Sequence, residues 1–275
     1  MSMRVWLLGA AMLVSSGLQA GAADLYGGAG GLKDGGYAPA GEGFRRAWYL
    51  RVDGGYSWAG KPKITETQVC GICTTTYDLT DTSMSSGWTM GGGVGLHVTN
   101  RIRADLTYDH QFGNSVSGWL GSGDLQGQRH FDVKSDVFLA NVYYDFNFGG
   151  RFTPYIGAGI GFARNKTSSG TVDDCGCVVG DIASGSSTSF AAAGMAGVAI
   201  TLRSGETVVG GGMKDAPVVV ETGRKLALDI GYRYLYLGDV STGAVTRAGA
   251  TFSDDPTVHN MDDHQLRVGL RYDLQ

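Results

Sequence analysis

Four cysteines are the side chains of this sequence best suited to covalent or metal chemistry. They stand in two close pairs, Cys70-Gly-Ile-Cys73 and Cys175-Gly-Cys177. A zinc site built from four cysteines generally repeats the spacing of the first pair, and the second pair departs from it. The chain begins like an exported protein, as described below, and exported thiols oxidise by default, so we expect disulfides. Because a bridge between Cys175 and Cys177 would close a small, strained ring, a cross-link between the two pairs competes with two local bridges.

An acidic segment near the C-terminus is the second candidate for chemistry. It contains carboxylates, one amide and two histidines, namely Asp254, Asp255, His259, Asn260, Asp262, Asp263 and His264. Carboxylate oxygens are the ligands that Ca²⁺ prefers, so a divalent cation could bind here. A solvated acidic loop is the simpler interpretation, and we therefore predict no metal site and no cofactor.

The last strand-like residues show what kind of element must position these side chains. Leu266, Val268, Leu270, Tyr272 and Leu274 alternate with Gln265, Arg267, Gly269, Arg271 and Asp273. Successive side chains of a β-strand point to opposite faces, so one face here is apolar and the other carries the charges. Such a strand fits a soluble β-sandwich. It also fits a membrane β-barrel, in which the apolar face contacts lipid and the charged face lines the lumen.

Runs with this period of two recur along the chain from Trp48 onward. The eight runs are 48–58, 87–98, 101–112, 136–148, 152–163, 188–202, 224–237 and 264–274. Long connections at 59–86, 113–135, 164–187 and 238–262 alternate with short ones at 99–100 and 149–151. An even number of strands with this alternation is typical of outer-membrane barrels.

Residues 203–223 interrupt the alternation of long and short connections. They contain two short β-prone pieces, 207–209 and 218–220. A membrane-spanning strand needs roughly 9–11 residues, so we predict a small hairpin at this point rather than two further spanning strands.

The two faces of the runs favour the barrel over the sandwich. Aromatic residues lie near both ends of the apolar faces, as a lipid-facing girdle requires, at Trp48 with Trp58, Phe138 with Phe148, and Phe152 with Phe162. The opposite faces carry charges that could pair inside a lumen, namely Arg51, Asp53, Arg103, Asp105, Asp109, Asp145, Asp229, Arg233, Arg267, Arg271 and Asp273. We predict an all-β fold, an eight-stranded antiparallel up-and-down transmembrane β-barrel.

The N-terminal residues indicate export. Residues 1–22 have a basic start, a short apolar stretch and an Ala-Gly-Ala cleavage pattern, which together predict a signal peptide. Residues 23–47 are rich in glycine and lack periodicity, so we predict a flexible tail, followed by the barrel at 48–275. The formal net charge of −4 argues against a nucleic-acid partner. We expect the mature protein in the cell outer membrane.

The sequence also resembles a known family. The residues that carry the resemblance are AADLY (22–26), WYLRVDGGYSW (48–58), FTPYIGAGIGFAR (152–164), LALDIGYRYLYLG (226–238) and LRVGLRYDL (266–274). They resemble the small outer-membrane proteins of alphaproteobacteria, the RopB-type surface proteins, which are related to opacity-protein and OmpA-like eight-stranded barrels. The resemblance implies contact with outer-membrane lipid and lipopolysaccharide and insertion by the barrel-insertion machinery. It leaves the oligomeric state open.

Two functions fit a charged lumen in so narrow a barrel. Eight strands leave an interior that side chains can fill, so the inward charges would form an ionic plug in a barrel with a structural and surface role. The alternative is a narrow porin for small solutes. Enzymatic activity is not expected, because His97 faces the lumen and His110, on the outer face, has no outward serine beside it.

Overall fold

The fold is built from β-strands that follow the alternating runs of the sequence. The computed structural model describes residues 48–70, 73–121, 126–204, 206–209, 218–221, 224–247 and 250–274. Eight long strands are β1 (Trp48–Ala59), β5 (Gly87–His97), β6 (Ile102–Leu120), β7 (Gly127–Asp145), β8 (Phe152–Thr167), β11 (Gly185–Arg203), β14 (Leu226–Ser241) and β16 (Ala250–Asp273). The shorter ones are β2 (Lys63–Cys70), β3 (Cys73–Asp78), β4 (Thr80–Met84), β9 (Gly170–Asp174), β10 (Cys177–Ile182), β12 (Glu206–Val209), β13 (Val218–Glu221) and β15 (Val245–Arg247). The predicted signal peptide at 1–22 and tail at 23–47 lie outside these residues.

The eight long strands close into an antiparallel barrel. Each pairs with its sequence neighbour among the eight, and β1 pairs with both β5 and β16, which closes the ring. Val52, for example, lies opposite Leu270 on one side and Gly92 on the other. Closure leaves no free sheet edge in this part of the chain, since every backbone group has a partner strand. The predicted eight-stranded antiparallel barrel is confirmed.

The barrel is apolar outside and largely polar inside over the half nearest the short connections. Leu266 and Val268 are 53% and 49% exposed, whereas the intervening Arg267 is 8% exposed. Glycines on the inward face of β5 and β8 make room for side chains of the next strand: a Cβ on Gly91 would overlap the carboxylate of Asp109, and one on Gly159 would overlap Asn141. The described residues include no helix that is long and apolar enough to cross a membrane.

The strands extend further than the sequence predicted at the end opposite the short connections, here called the long-strand end. The predicted connection 113–135 is mostly strand, because β6 continues to Leu120 and β7 begins at Gly127. The predicted connections at 59–86, 164–187 and 238–262 likewise contain strands. Together with 113–135, the described strand residues of these segments are called the extension. Their inward residues, such as Val116 and Phe131, are buried and apolar, and this burial stabilises strands in polar, threonine-rich and glycine-rich sequence.

The short pieces between the sixth and seventh long strands form the predicted hairpin. β12 pairs antiparallel with β13 in a separate two-stranded sheet, with Thr207 opposite Val220. The interpretation with ten spanning strands is therefore excluded.

Candidate functional site

The lumen contains all eleven charged residues that the sequence places on the inward face. We call this set the ionic layer: Arg51, Asp53, Arg103, Asp105, Asp109, Asp145, Asp229, Arg233, Arg267, Arg271 and Asp273. No side chain in it is more than 10% exposed. Buried charges of this kind are tolerated when they are paired and hydrogen-bonded, so the pairing decides what the lumen can do.

Asp109 is the centre of the ionic layer. Its two carboxylate oxygens accept hydrogen bonds from Arg233 Nη1 at 2.7 Å and from Arg267 Nη2 at 2.6 Å. Asp109 lies on β6 and Arg233 on β14, which are four strands apart in either direction around the ring of eight. Their contact therefore crosses the full width of the bore.

The same network continues toward β1. Arg267 Nη2 lies 3.4 Å from Asp53, which is held in turn by Arg51 at 2.7 Å. Arg51 also donates to Asp105 at 3.0 Å and to the hydroxyl of Tyr143 at 2.7 Å. Charged side chains from four strands, β1, β6, β14 and β16, thus form one connected set across the lumen.

Two further arginines fill the lumen nearer the short connections. Arg103 Nε lies 3.0 Å from both oxygens of Asp145, and its guanidinium lies 4.2 Å from the ring centre of Tyr143 and 4.8 Å from that of Tyr155. Stacked aromatic rings favour a desolvated guanidinium. The second arginine, Arg271, lies farther from its carboxylates, 3.6 Å from Asp229 and 4.0 Å from Asp273.

A second, apolar layer fills the barrel above the ionic layer, toward the long-strand end. We call it the cap core: Ile64, Leu79, Val116, Leu120, Phe131, Val133, Val137, Leu139, Ala163, Val172, Ile182, Ala191, Ala193, Leu235, Leu237, Val240, Val245, Val258 and Met261. None of these residues is more than 7% exposed. Side chains packed to this degree leave little room for water among the described residues of this layer.

One ion pair is embedded in the region of the cap core. Arg129 Nε and Nη2 donate to the carboxylate of Glu66 at 2.7 and 2.9 Å, and both side chains are at most 1% exposed. Glu66 lies on β2 and Arg129 on β7, which are not neighbours in the sheet. The pair therefore ties together two walls of the extension.

The lumen also contains a small cavity between charged residues of the ionic layer. Its volume is about 20 Å³, and its lining includes Arg51, Asp229 and Arg233. A cavity needs roughly 10–15 Å³ on this measure to hold a water molecule, so this one has room for a single water rather than for a solute.

The two cysteine pairs lie on separate hairpins. Cys175 and Gly176 form the turn between β9 and β10, both with positive φ, and Cys175 and Cys177 are exposed free thiols. Cys70 lies opposite Cys73 in the register of β2 and β3, although their side chains fall outside the described part of the chain. β16 and β15 lie between β2 and β10, a separation of roughly 14 Å at ~4.8 Å per strand, whereas bridged Cα atoms lie within about 7 Å. This arrangement favours local bridges over a cross-link, and disulfide formation stays a prediction.

The acidic segment near the C-terminus is strand rather than loop. The alternation in β16 buries Asp263, which accepts from Gln111 at 2.9 Å inside the barrel, while Asp262 and His264 lie on the outer face. Asp262 and Asp263 are thereby separated, whereas the side chains of Asp254 and Asp255 lie outside the described part of the chain. Among the described residues no cluster of three or more metal-ligating side chains occurs.

One hydrogen-bonded series outside the lumen has the order of a catalytic triad. Thr65 Oγ1 lies 2.8 Å from His259 Nε2, and His259 Nδ1 lies 3.4 Å from Asp239. Thr65 lies in the middle of β2, where backbone amides are engaged by β3 and β16. Acyl transfer needs free donors aimed at a developing oxyanion, so we assign this series no catalytic role.

Several residues of the lumen were not singled out from the sequence. Glu66 and Arg129 fell in predicted loops, and Gln265 was counted only as a polar strand position. Gln265 accepts from Arg233 Nε at 2.8 Å and donates to Asp263 at 2.7 Å. Strand alternation carried through the loops would have placed Glu66 and Arg129 on the same face as Ile64 and Phe131.

Comparison with known proteins gives a consistent result. Residues 6–273 match the family described as outer membrane protein beta-barrel domain. An uncharacterized protein of Brucella abortus is 28% identical over 263 residues, which is 83% of this chain and 85% of that protein. The outer membrane protein PagN of Salmonella typhimurium is 29% identical over 202 residues, 66% of this chain and 72% of that protein.

Solved structures of similar architecture are more distant in sequence. The outer membrane protein OprG of Pseudomonas aeruginosa is 12% identical, with a TM-score of 0.48 over 82% of this chain and 97% of that one. The similar structures are mostly described as outer membrane or surface proteins, although one is described as an outer membrane protease of Escherichia coli.

Proposed function

The chain belongs to the outer membrane protein beta-barrel domain family, and from this we propose that it is an outer-membrane barrel with a sealed lumen that stabilises the envelope and presents its extension at the cell surface. Outer-membrane barrels have short periplasmic turns and longer extracellular elements. The long-strand end is therefore the cell-surface end. The proposal includes no enzymatic activity.

The contact between Arg233 and Asp109 is the observation that carries the proposal. It spans the bore between opposite strands at 2.7 Å, and Arg267 fills the remaining side of Asp109. The cap core lies above it and is almost entirely buried. An ionic layer and an apolar layer in series are difficult for an ion to cross, because the cavity in the first has room for a single water only and the second would dehydrate the ion.

The proposed partners follow from the placement of the barrel in the outer membrane. The apolar outer surface fits outer-membrane lipid, with lipopolysaccharide in the outer leaflet. Insertion by the barrel-insertion machinery is proposed from membership of the outer membrane protein beta-barrel domain family. These remain proposals, as does the absence of a nucleic-acid partner.

Single-channel recording tests the sealed lumen. We expect the refolded barrel in a planar bilayer to give no steady conductance steps, and we expect the same of Arg51→Ala, because the cap core still closes the bore above the ionic layer. A porin refolded in parallel controls for insertion. Well-defined steps from the wild type, with a shift toward cation selectivity in Arg51→Ala, would establish the narrow porin instead.

Replacement of Leu228 tests the lipid-facing surface. Leu228 lies on the outer face of β14, between Leu270 of β16 and Ile200 of β11. We expect Leu228→Arg to lower the free energy of unfolding in lipid by roughly 2–4 kcal/mol if the site lies near the bilayer midplane. Ser168→Arg, at an exposed position near the cell-surface end, is the matched control and should change stability little. Equal tolerance of arginine at both positions would contradict this orientation.

A further inference from the structure

Four aromatic rings form a continuous row on the outer surface of the barrel. Tyr108, Phe138, Phe162 and Phe190 lie directly opposite one another on β6, β7, β8 and β11, and each is at least 41% exposed. The ring centres of Phe138 lie 4.9 Å from Tyr108 and 5.0 Å from Phe162. Aromatic rings on the outside of a membrane barrel mark the boundary between hydrocarbon and head groups.

Basic side chains occupy the two outward rungs directly above this row. Arg164 lies opposite Asp136 and Thr188 on the first rung, and Lys166 lies opposite Lys134 and Ser186 on the second. At ~3.4 Å per residue the two rungs stand roughly 7 and 14 Å from the aromatic row along the strands. This is the height at which lipid head groups meet the barrel. We call Lys134, Arg164 and Lys166 the basic ledge.

The arrangement of charge in the basic ledge is unfavourable without an anion. Lys134 and Lys166 are direct cross-strand neighbours, and like charges in that position destabilise a sheet. Two carboxylates share the outward face of β7 with Lys134: Asp136, which Lys166 contacts at 2.9 Å, and Asp132, which accepts a hydrogen bond from Ser115 at 2.6 Å.

Asp136 already makes several hydrogen bonds to its neighbours. It also accepts from Tyr108 at 2.9 Å and contacts His110 Nδ1 at 2.8 Å. Both carboxylate oxygens of Asp136 thus already have partners. Lys134 and Arg164 remain exposed without a carboxylate partner among the described residues.

The outward charges on the opposite wall of the barrel are mixed at this end. Asp239 on β14 and Asp262 on β16 contact histidines, and Lys63 on β2 pairs with Asp78 at 3.6 Å. The basic ledge is therefore a feature of one wall, not of the whole circumference.

We propose that the basic ledge binds the phosphorylated head group of an outer-leaflet lipid, whose acyl chains lie against the aromatic row below. Phosphate oxygens accept bidentate hydrogen bonds from a guanidinium and pair with ammonium groups, which matches one arginine on the rung below two neighbouring lysines. The aromatic row favours a lipid over a free anion, because it supplies apolar contact at the height of the first acyl carbons. This inference goes beyond the sealed lumen and rests on the proposed orientation of the barrel, in which the long-strand end faces the cell surface.

A titration with lipid A, measured by native mass spectrometry of the refolded barrel, tests this site. The probes are lipid A with its phosphates, dephosphorylated lipid A, and inorganic phosphate. We expect Lys134→Gln/Arg164→Gln to weaken lipid A binding by about 30-fold, at roughly 1 kcal/mol for each basic residue near an anionic surface. Lys61→Gln/Lys63→Gln removes the same charge from exposed lysines on the other side of the barrel and is the matched control.

The outcomes separate the possible sources of binding. A loss confined to Lys134→Gln/Arg164→Gln and to phosphorylated lipid A supports the site. Equal binding by both double variants, equal binding of dephosphorylated lipid A, or inorganic phosphate binding as tightly as lipid A would each overturn it. Both double variants should keep the wild-type heat-dependent gel shift, which shows that folding is intact. The conductance experiment addresses the lumen, so either proposal can fail without the other.

Discussion

Replacing Asp109 with alanine should lower the free energy of unfolding by about 3–5 kcal/mol. Asp109 is fully buried and pairs at 2.7 and 2.6 Å with two arginines that are themselves less than 10% exposed. Its removal leaves Arg233 and Arg267 facing each other with one carboxylate fewer. A buried charge without a partner retains its full desolvation cost, whereas an exposed one is rehydrated.

Reversible urea unfolding in lipid vesicles, followed by tryptophan fluorescence, measures this effect. Asp78→Ala is the control, because it also removes a carboxylate from an ion pair, but one with Lys63 at 3.6 Å in which both side chains are more than two-thirds exposed. The control should change stability by no more than about 1 kcal/mol. The double variant Asp109→Ala/Arg233→Met should recover part of the loss, since it removes one stranded charge. A loss in Asp109→Ala as small as in the control would show that the lumen is hydrated and the plug absent.

Breaking the buried pair of the extension should have an effect of similar size. We expect Glu66→Gln to destabilise the protein by about 3–5 kcal/mol, because Arg129 then keeps its charge at a site where both side chains are at most 1% exposed. Replacing both partners, as Glu66→Leu/Arg129→Met, should restore stability to near the wild-type value or above it, since two apolar side chains fit the surrounding cap core.

Limited proteolysis combined with the heat-dependent gel shift locates the effect. In Glu66→Gln the extension should become sensitive to protease while the membrane-spanning barrel still resists unfolding, because the pair joins β2 and β7 only at the cell-surface end. Lys63→Gln, three residues before Glu66 on the same strand and exposed, controls for an unspecific change in β2. If the double apolar variant is as unstable as Glu66→Gln, then the pair contributes through specific hydrogen bonds rather than through charge compensation.

The sequence by itself determined the strands that cross the membrane and the face that each residue takes. Strict alternation such as that of Leu266, Arg267 and Val268 leaves one arrangement in a half-buried strand, because a shift of one residue would exchange the two faces. The inward position of residues such as Asp109 and Arg233 followed from the same rule, as did the outward position of Phe138 and Phe162. These are local properties with a period of two, and a single chain displays them directly.

The tertiary structure alone decided which inward residues meet and how far the strands extend. The partner of Asp109 is Arg233, 124 residues away, because the ring closes with β6 opposite β14. No local pattern encodes a contact across the bore, which depends on the number of strands and on their register. The strands of the extension could not be predicted from the sequence for a related reason. Glu66 and Arg129 lie in polar segments whose strands are stabilised by the shared cap core rather than by their own β-propensity. The basic ledge likewise exists only after closure, because its lysines and arginine come from two strands that register places side by side.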